Sequence, residues 1–131
     1  MAKVYSINLI KTDDILLVDV LFKHHEASLV LDTGATNTII DLNSLLIAGY
    51  DIDLIIKNKK KFETANGIIE ANSITVDILT VFDKQFYNIE IFTLDFIEAG
   101  IISGYEGVLG LDILKQFNIH LNFLNKEMVI Q

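Results

Sequence analysis

Three apolar residues, Leu29-Val30-Leu31, deliver one carboxylate, Asp32, to a Thr33-Gly34-Ala35 turn, and the chain leaves through the β-forming Thr36-Asn37-Thr38-Ile39-Ile40. A strand that ends in an acid and re-enters at once as a second strand holds that acid rigidly at the mouth of a cleft. Each residue of the turn has a physical task. Asp32 can give or take a proton, and the Thr33 hydroxyl can tie the turn to something beyond it. Gly34 has no Cβ and lets another backbone come close, and Ala35 stays small for the same reason. Asp and Gly favour turns anywhere, so a purely structural turn stands beside the catalytic reading.

The rest of the chain reads as short strands. Residues 4–10 alternate, residues 11–14 form a polar turn, and residues 15–22 are nearly all apolar, as for a strand covered on both sides. Lys23-His24-His25-Glu26 turns the chain into the strand that carries Asp32. A short helical turn over residues 41–50 has Asp41 or Asn43 as its cap and Gly49 as its end. Residues 53–57 and 61–64 are expected as short strands, and Ala65-Asn66-Gly67 makes a tight hairpin into a β-rich run over 68–81. A turn over 82–85 leads to a strand over 86–94, and 96–106 reads as a loop. Gly107-Val108-Leu109-Gly110 is a short strand ending in glycine, followed by two helical turns over 111–117 and strands over 119–123 and 128–130. About nine strands and one firm helix make a single all-β domain over 1–131.

Composition narrows the function. A formal charge of −8 opposes nucleic acid as the main partner, and Lys57 with Lys59-Lys60-Lys61 reads as a solvated loop or edge strand that discourages sheet pairing. With no cysteine there is no disulfide, thiolate nucleophile or thiolate metal site. No apolar run is long enough to span a bilayer and no leader segment is evident, so a chain free of membrane and resident in the cytoplasm is expected. His24, His25 and Glu26 are adjacent and point opposite ways, which favours a solvated turn over a metal set. His120 reads as outward-facing on its strand; Asp112 reads as a helix cap rather than a second acid; and the phenylalanines Phe82, Phe86, Phe92 and Phe96 read as core.

The Leu31-Asp32-Thr33-Gly34-Ala35 turn, the hairpin at Thr64-Ala65-Asn66-Gly67 and the Val108-Leu109-Gly110 motif before a helix together resemble the retropepsin-like aspartic proteases, over about residues 15–130. The resemblance implies a closed-barrel acid-protease fold with one short C-terminal helix, working as a two-fold homodimer. It implies that Asp32 is catalytic and that Thr33, Gly34 and Ala35 support the active-site turn. Ala65, Asn66 and Gly67 then tip a flap over a bound peptide, and Val108, Leu109 and Gly110 pack against the turn. No metal or cofactor is implied, and the partner is a peptide or protein substrate. The chain holds one Asp-Thr-Gly, whereas carboxylate-driven peptide hydrolysis needs two acids acting together, so a second copy supplies the other. A non-catalytic module that dimerises or binds peptide is the alternative.

Leu111-Asp112 stands where viral members usually carry Arg-Asp, which removes an arginine ion pair. Ala35 stands in place of a serine hydroxyl near the acid, from which an optimum in weak rather than strong acid is expected.

Overall fold

The computed structural model describes residues 2–6, 8–9, 15–51, 53, 55, 59–64, 67–101 and 104–131. Among these, eleven strands and two helices follow one another along the chain. In order they are β1 (Lys3–Ser6), β2 (Asn8–Leu9), β3 (Leu16–Phe22), β4 (His25–Leu31), β5 (Ile39–Asp41), α1 (Leu42–Ala48), β6 (Lys59–Thr64), β7 (Gly67–Val81), β8 (Lys84–Leu94), β9 (Gly107–Leu109), α2 (Leu111–Leu114), β10 (Ile119–Asn122) and β11 (Glu127–Ile130). Strands alternate between inward apolar and outward polar residues, and this period of two builds the barrel. In β3, Val18, Val20 and Phe22 are buried while Asp19 and Leu21 face out. That strand is therefore covered on one side, not on both as its composition suggests, because it lies in the wall of a barrel.

The wall runs β3-β4-β9-β5-β8-β7, and a second pairing of β7 with β3 closes the ring of six strands. The closing register sets Val20 opposite Val81 and Phe22 opposite Leu79, so inward residues of both strands meet. β2 and β6 extend the sheet at its two ends, and β1, β11 and β10 form a separate three-stranded sheet. The expected strand over 4–10 is thus two strands serving different sheets. The core gathers Val18, Val20, Phe22, Leu29, Ile40, Ile74, Val76, Leu79, Val81, Ile91 and Leu109, with Ile113, Leu114, Met128 and Ile130 closing one side. Phe96 is buried, and Phe82 and Phe86 pack against the core from its margin.

Both hairpin turns of the barrel wall are tighter than expected. Phe22 pairs with His25, leaving only Lys23 and His24 in the turn, both with positive φ. Val81 pairs with Lys84, leaving Phe82 and Asp83 in the same conformation. Two positive φ angles in a two-residue loop match the twist of the flanking strands, which outweighs the steric cost to a non-glycine residue. Helix α1 forms where its signals stand: the Asp41 carboxylate accepts from the Asn43 amide, and Gly49 ends the helix with φ of +107°. Asp53 and Ile55 have helical backbone where a strand over 53–57 is expected, and Ile55 is fully buried; residues 54, 56 and 57 of that segment lie outside the described residues. A short apolar run fits either period, and periodicity alone does not separate the two. Helix α2 stops at Leu114 rather than 117, and His120 is exposed. β6 occupies the edge of the large sheet, and Lys59, Lys60 and Lys61 are exposed on it.

Candidate active site

Asp32 follows directly on β4, and the turn it starts is held from within and from below. Its Oδ1 accepts from the Gly34 amide at 2.8 Å, and its backbone carbonyl accepts from the Ala35 amide at 3.2 Å. Its own amide donates to the carbonyl of Leu109 at 3.1 Å. The carboxyl-bearing residue is half-buried, whereas Thr33 and Gly34 are exposed. A Cβ on Gly34 would come within 3.2 Å of Asp32 Oδ1, so glycine keeps that oxygen uncrowded.

β9 is the strut. It pairs parallel with β4 and antiparallel with β5, so it passes between the strand entering the turn and the strand leaving it. Gly107 begins it because a Cβ there would stand 2.2 Å from the Ile39 carbonyl oxygen. Gly110 ends it under the turn, where a Cβ would lie 2.6 Å from the Asn37 carbonyl carbon and 2.9 Å from the Ala35 oxygen. Both glycines permit a close approach of backbones rather than an unusual dihedral angle.

The turn also caps α2. The Ala35 and Thr36 carbonyls accept from the amides of Leu111 and Asp112 at 2.8 and 3.1 Å, donors that a helix start leaves free. Thr38, fully buried, ties the arrangement together: its hydroxyl accepts from the Gly110 amide at 3.1 Å and donates to Asp112 Oδ1 at 2.7 Å. The Thr38 amide donates to Asp112 Oδ2 at 3.0 Å. Asp112 is therefore not the cap expected of it, since Gly110 holds the cap position of α2; its carboxylate is a clamp on the segment leaving the active-site turn. Two hydrogen bonds to a buried threonine require that orientation, and a cap does not.

Asp32, Gly34 and Ala35 are thus brought together with Leu109 and Gly110, while Val108 pairs with Val30 and Ile39 one step away along β9. Ala65 and Asn66 lie outside the described residues. Thr64 pairs with Gly67, so Gly67 opens β7 as its first residue, with φ of +112°. His25 belongs to β4 rather than to a solvated turn, and its Nε2 lies 3.1 Å from Glu106 Oε1; the side chains are about four-fifths and two-thirds buried. Among the described residues no cluster of His, Asp and Glu has the arrangement of a metal site. Thr38, Glu106 and the clamping role of Asp112 escape sequence reasoning, for the bonds that define them join positions more than sixty residues apart.

A six-stranded closed barrel whose only Asp-Thr-Gly turn is strutted by a glycine-bounded strand defines the retropepsin-like class of aspartic protease folds. The model of the gag-polyprotein putative aspartyl protease family matches residues 18–116, and the chain belongs to that family. The fold is similar to the crystal structure of a retropepsin-like aspartic protease from Rickettsia conorii, with a TM-score of 0.72 and 19% sequence identity, over 99% of this chain and 91% of that one. No curated protein matches the chain. No helix among the described residues is long and apolar enough to cross a membrane.

Proposed function

We propose that the chain is an aspartic endopeptidase that works as a homodimer, with Asp32 of each copy activating a single water. The observation that carries this reading is the Asp32 turn itself, a half-buried acid whose backbone is bonded to Leu109 and Ala35 and whose carboxylate accepts from the Gly34 amide. Two such acids across a two-fold axis share one proton, because two carboxylates about 3 Å apart cannot both ionise. The ionised member takes a proton from water as its oxygen attacks the peptide carbonyl, and the protonated member gives its proton to the carbonyl oxygen. Return of a proton to the amide nitrogen then lets the C–N bond break, leaving a carboxyl and an amine terminus. Thr33, exposed at the turn, is the residue whose hydroxyl would reach the partner copy. The β6–β7 hairpin, with Ala65, Asn66 and Gly67 at its tip, would close over an extended peptide held by main-chain bonds. The free edge of β10, with Leu121, Phe123 and Leu124 exposed in and beside it, offers apolar surface to a second copy.

The test is cleavage of a mixed peptide library by wild type and by Asp32→Asn from pH 3 to 7, with protein concentration varied. Cutting that vanishes in the variant and rises faster than linearly with concentration supports the reading. A folded dimer that binds peptide and never cuts, as wild type or as variant, would make it a binding module instead.

A further inference from the structure

We infer that Glu106 is a positioning residue for Asp32, acting through β9; the inference rests on the protease reading for its kinetic consequence but not for its structural one. Glu106 immediately precedes β9 and bonds to β4, to the end of β5 and to α1. Its amide donates to the Ser28 carbonyl on β4 at 2.8 Å, and its carbonyl accepts from the Asp41 amide at the end of β5 at 2.7 Å. Its carboxylate accepts from the Ser28 amide at 3.2 Å through Oε2. Oε1 accepts from the hydroxyl of Ser44, a buried residue of α1, at 3.0 Å and contacts His25 Nε2 at 3.1 Å. One side chain therefore links β4, α1 and the root of β9.

Such a link matters because β9 is only three residues long. At about 3.3 Å per residue its far end, Leu109, lies roughly 10 Å from Glu106. Leu109 supplies the carbonyl under the Asp32 amide, and Gly110 lies against the turn with no room to shift sideways. A short strand anchored at one end transmits displacement to the other. The Ser28 amide also depends on this carboxylate, since the β4–β9 ladder begins one residue later, with Leu29 opposite Gly107. Loss of the carboxylate leaves the entry of β9 on the two backbone bonds of residue 106 alone, which loosens the strand and with it the hold of the Leu109 carbonyl on the Asp32 amide. Substrate contacts are untouched, so the loss falls on kcat rather than KM.

The experiment compares wild type, Glu106→Gln and Glu106→Ala by amide hydrogen exchange and by single-site-titrated kinetics. The Asp32 amide is expected to exchange about tenfold faster in Glu106→Ala, relative to the amide of Ile91 in the opposite wall, with Glu106→Gln between the two. In the same proteins kcat per titrated site is expected to fall about tenfold in Glu106→Ala, with KM within twofold of wild type and partial rescue in Glu106→Gln. Unchanged Asp32 exchange relative to Ile91, or unchanged kcat beside a lowered melting temperature, would overturn the inference. If wild type cuts no peptide, the protease reading fails while the exchange comparison still decides the positioning role. If Glu106→Ala does not fold, Ser44→Ala, which removes one donor, is held to the same exchange criterion.

Discussion

Replacing Asp112 tests whether the segment leaving the active-site turn is clamped from below. The carboxylate accepts from both donors of one fully buried residue, the Thr38 amide at 3.0 Å and the Thr38 hydroxyl at 2.7 Å; it also accepts from the Ile113 amide at 3.0 Å, which keeps the Gly110 carbonyl at 3.2 Å as a second acceptor. In Asp112→Ala both donors lose their acceptor where solvent does not reach Thr38. Each orphaned donor costs about 1–3 kcal/mol, so the variant is expected to lose roughly 2–6 kcal/mol of stability. Asp112→Asn keeps the shape but has one acceptor oxygen. If that oxygen serves the Thr38 amide, the amide NH2 faces the Thr38 hydroxyl, whose oxygen already accepts from Gly110 and whose proton is then left over. One donor is orphaned instead of two, and a loss of about 1–3 kcal/mol is expected. Urea unfolding of the three proteins at neutral pH gives both numbers, provided the slopes agree. The order wild type, Asn, Ala is the signature of the clamp. Equal stability of wild type and Asp112→Asn, or a loss below about 1 kcal/mol in Asp112→Ala, would refute it.

Gly110→Ala puts a Cβ 2.6 Å from the Asn37 carbonyl carbon, and Gly107→Ala puts one 2.2 Å from the Ile39 oxygen. Both contacts are with backbone, so each variant is expected to unfold at least 3 kcal/mol more easily, about the upper range of overpacking, with Gly107→Ala the worse by thermal denaturation. His24 is exposed with φ of +64° in a two-residue turn, and His24→Gly should stabilise by about 0.5–1 kcal/mol after its own entropic cost. Burial, with a hydrogen bond to Asp77, pushes the Tyr50 phenol well above its ordinary value. The folded state therefore holds that proton more tightly than the unfolded one, and stability should be level up to about pH 10 and fall above it, a slope that Tyr50→Phe removes in urea titrations. The Glu98 amide and the Asn43 side chain hold the Asp95 carboxyl below the usual range, so its contribution is present above about pH 4 and lost as pH falls further. Asp95→Asn should flatten the dependence of the urea midpoint between pH 5 and 3.

The parts of the fold that were legible in the sequence are those with local causes. Leu29-Val30-Leu31 before Asp32, the Asp41 and Gly49 signals of α1, and the glycines at 107 and 110 each carry their reason within a few residues. Asp41 accepts from Asn43 two positions on, and such a bond can be read from spacing alone. What was not legible depends on partners far along the chain. Asp112 looks like a first-turn acid, and only the approach of Thr38, 74 positions earlier, makes it a clamp. His25 looks like one of a polar pair, until Glu106 arrives beside it from 81 positions away. The division of the first strand between two sheets likewise follows from β11 and β3 offering separate edges, to which β1 and β2 respectively pair.

On the proposed reading, position in the sheet also separates the two tasks of such a peptidase. A catalytic acid, the role proposed for Asp32, has to be fixed, and Asp32 emerges next to β9, which is paired on both sides and bounded by closely packed glycines. A hairpin that admitted and released a peptide would have to open, and among the described residues β6 is paired on one side only, by β7, at the end of the sheet. An opening edge invites unwanted strand addition, and the three exposed lysines on β6 oppose it through repulsion and desolvation cost. Rigidity and access are thus assigned to opposite situations within one continuous sheet. The division lies within one copy, yet its rigid half presents a single Asp-Thr-Gly carboxylate, which is why the proposed peptidase reading calls for a second copy.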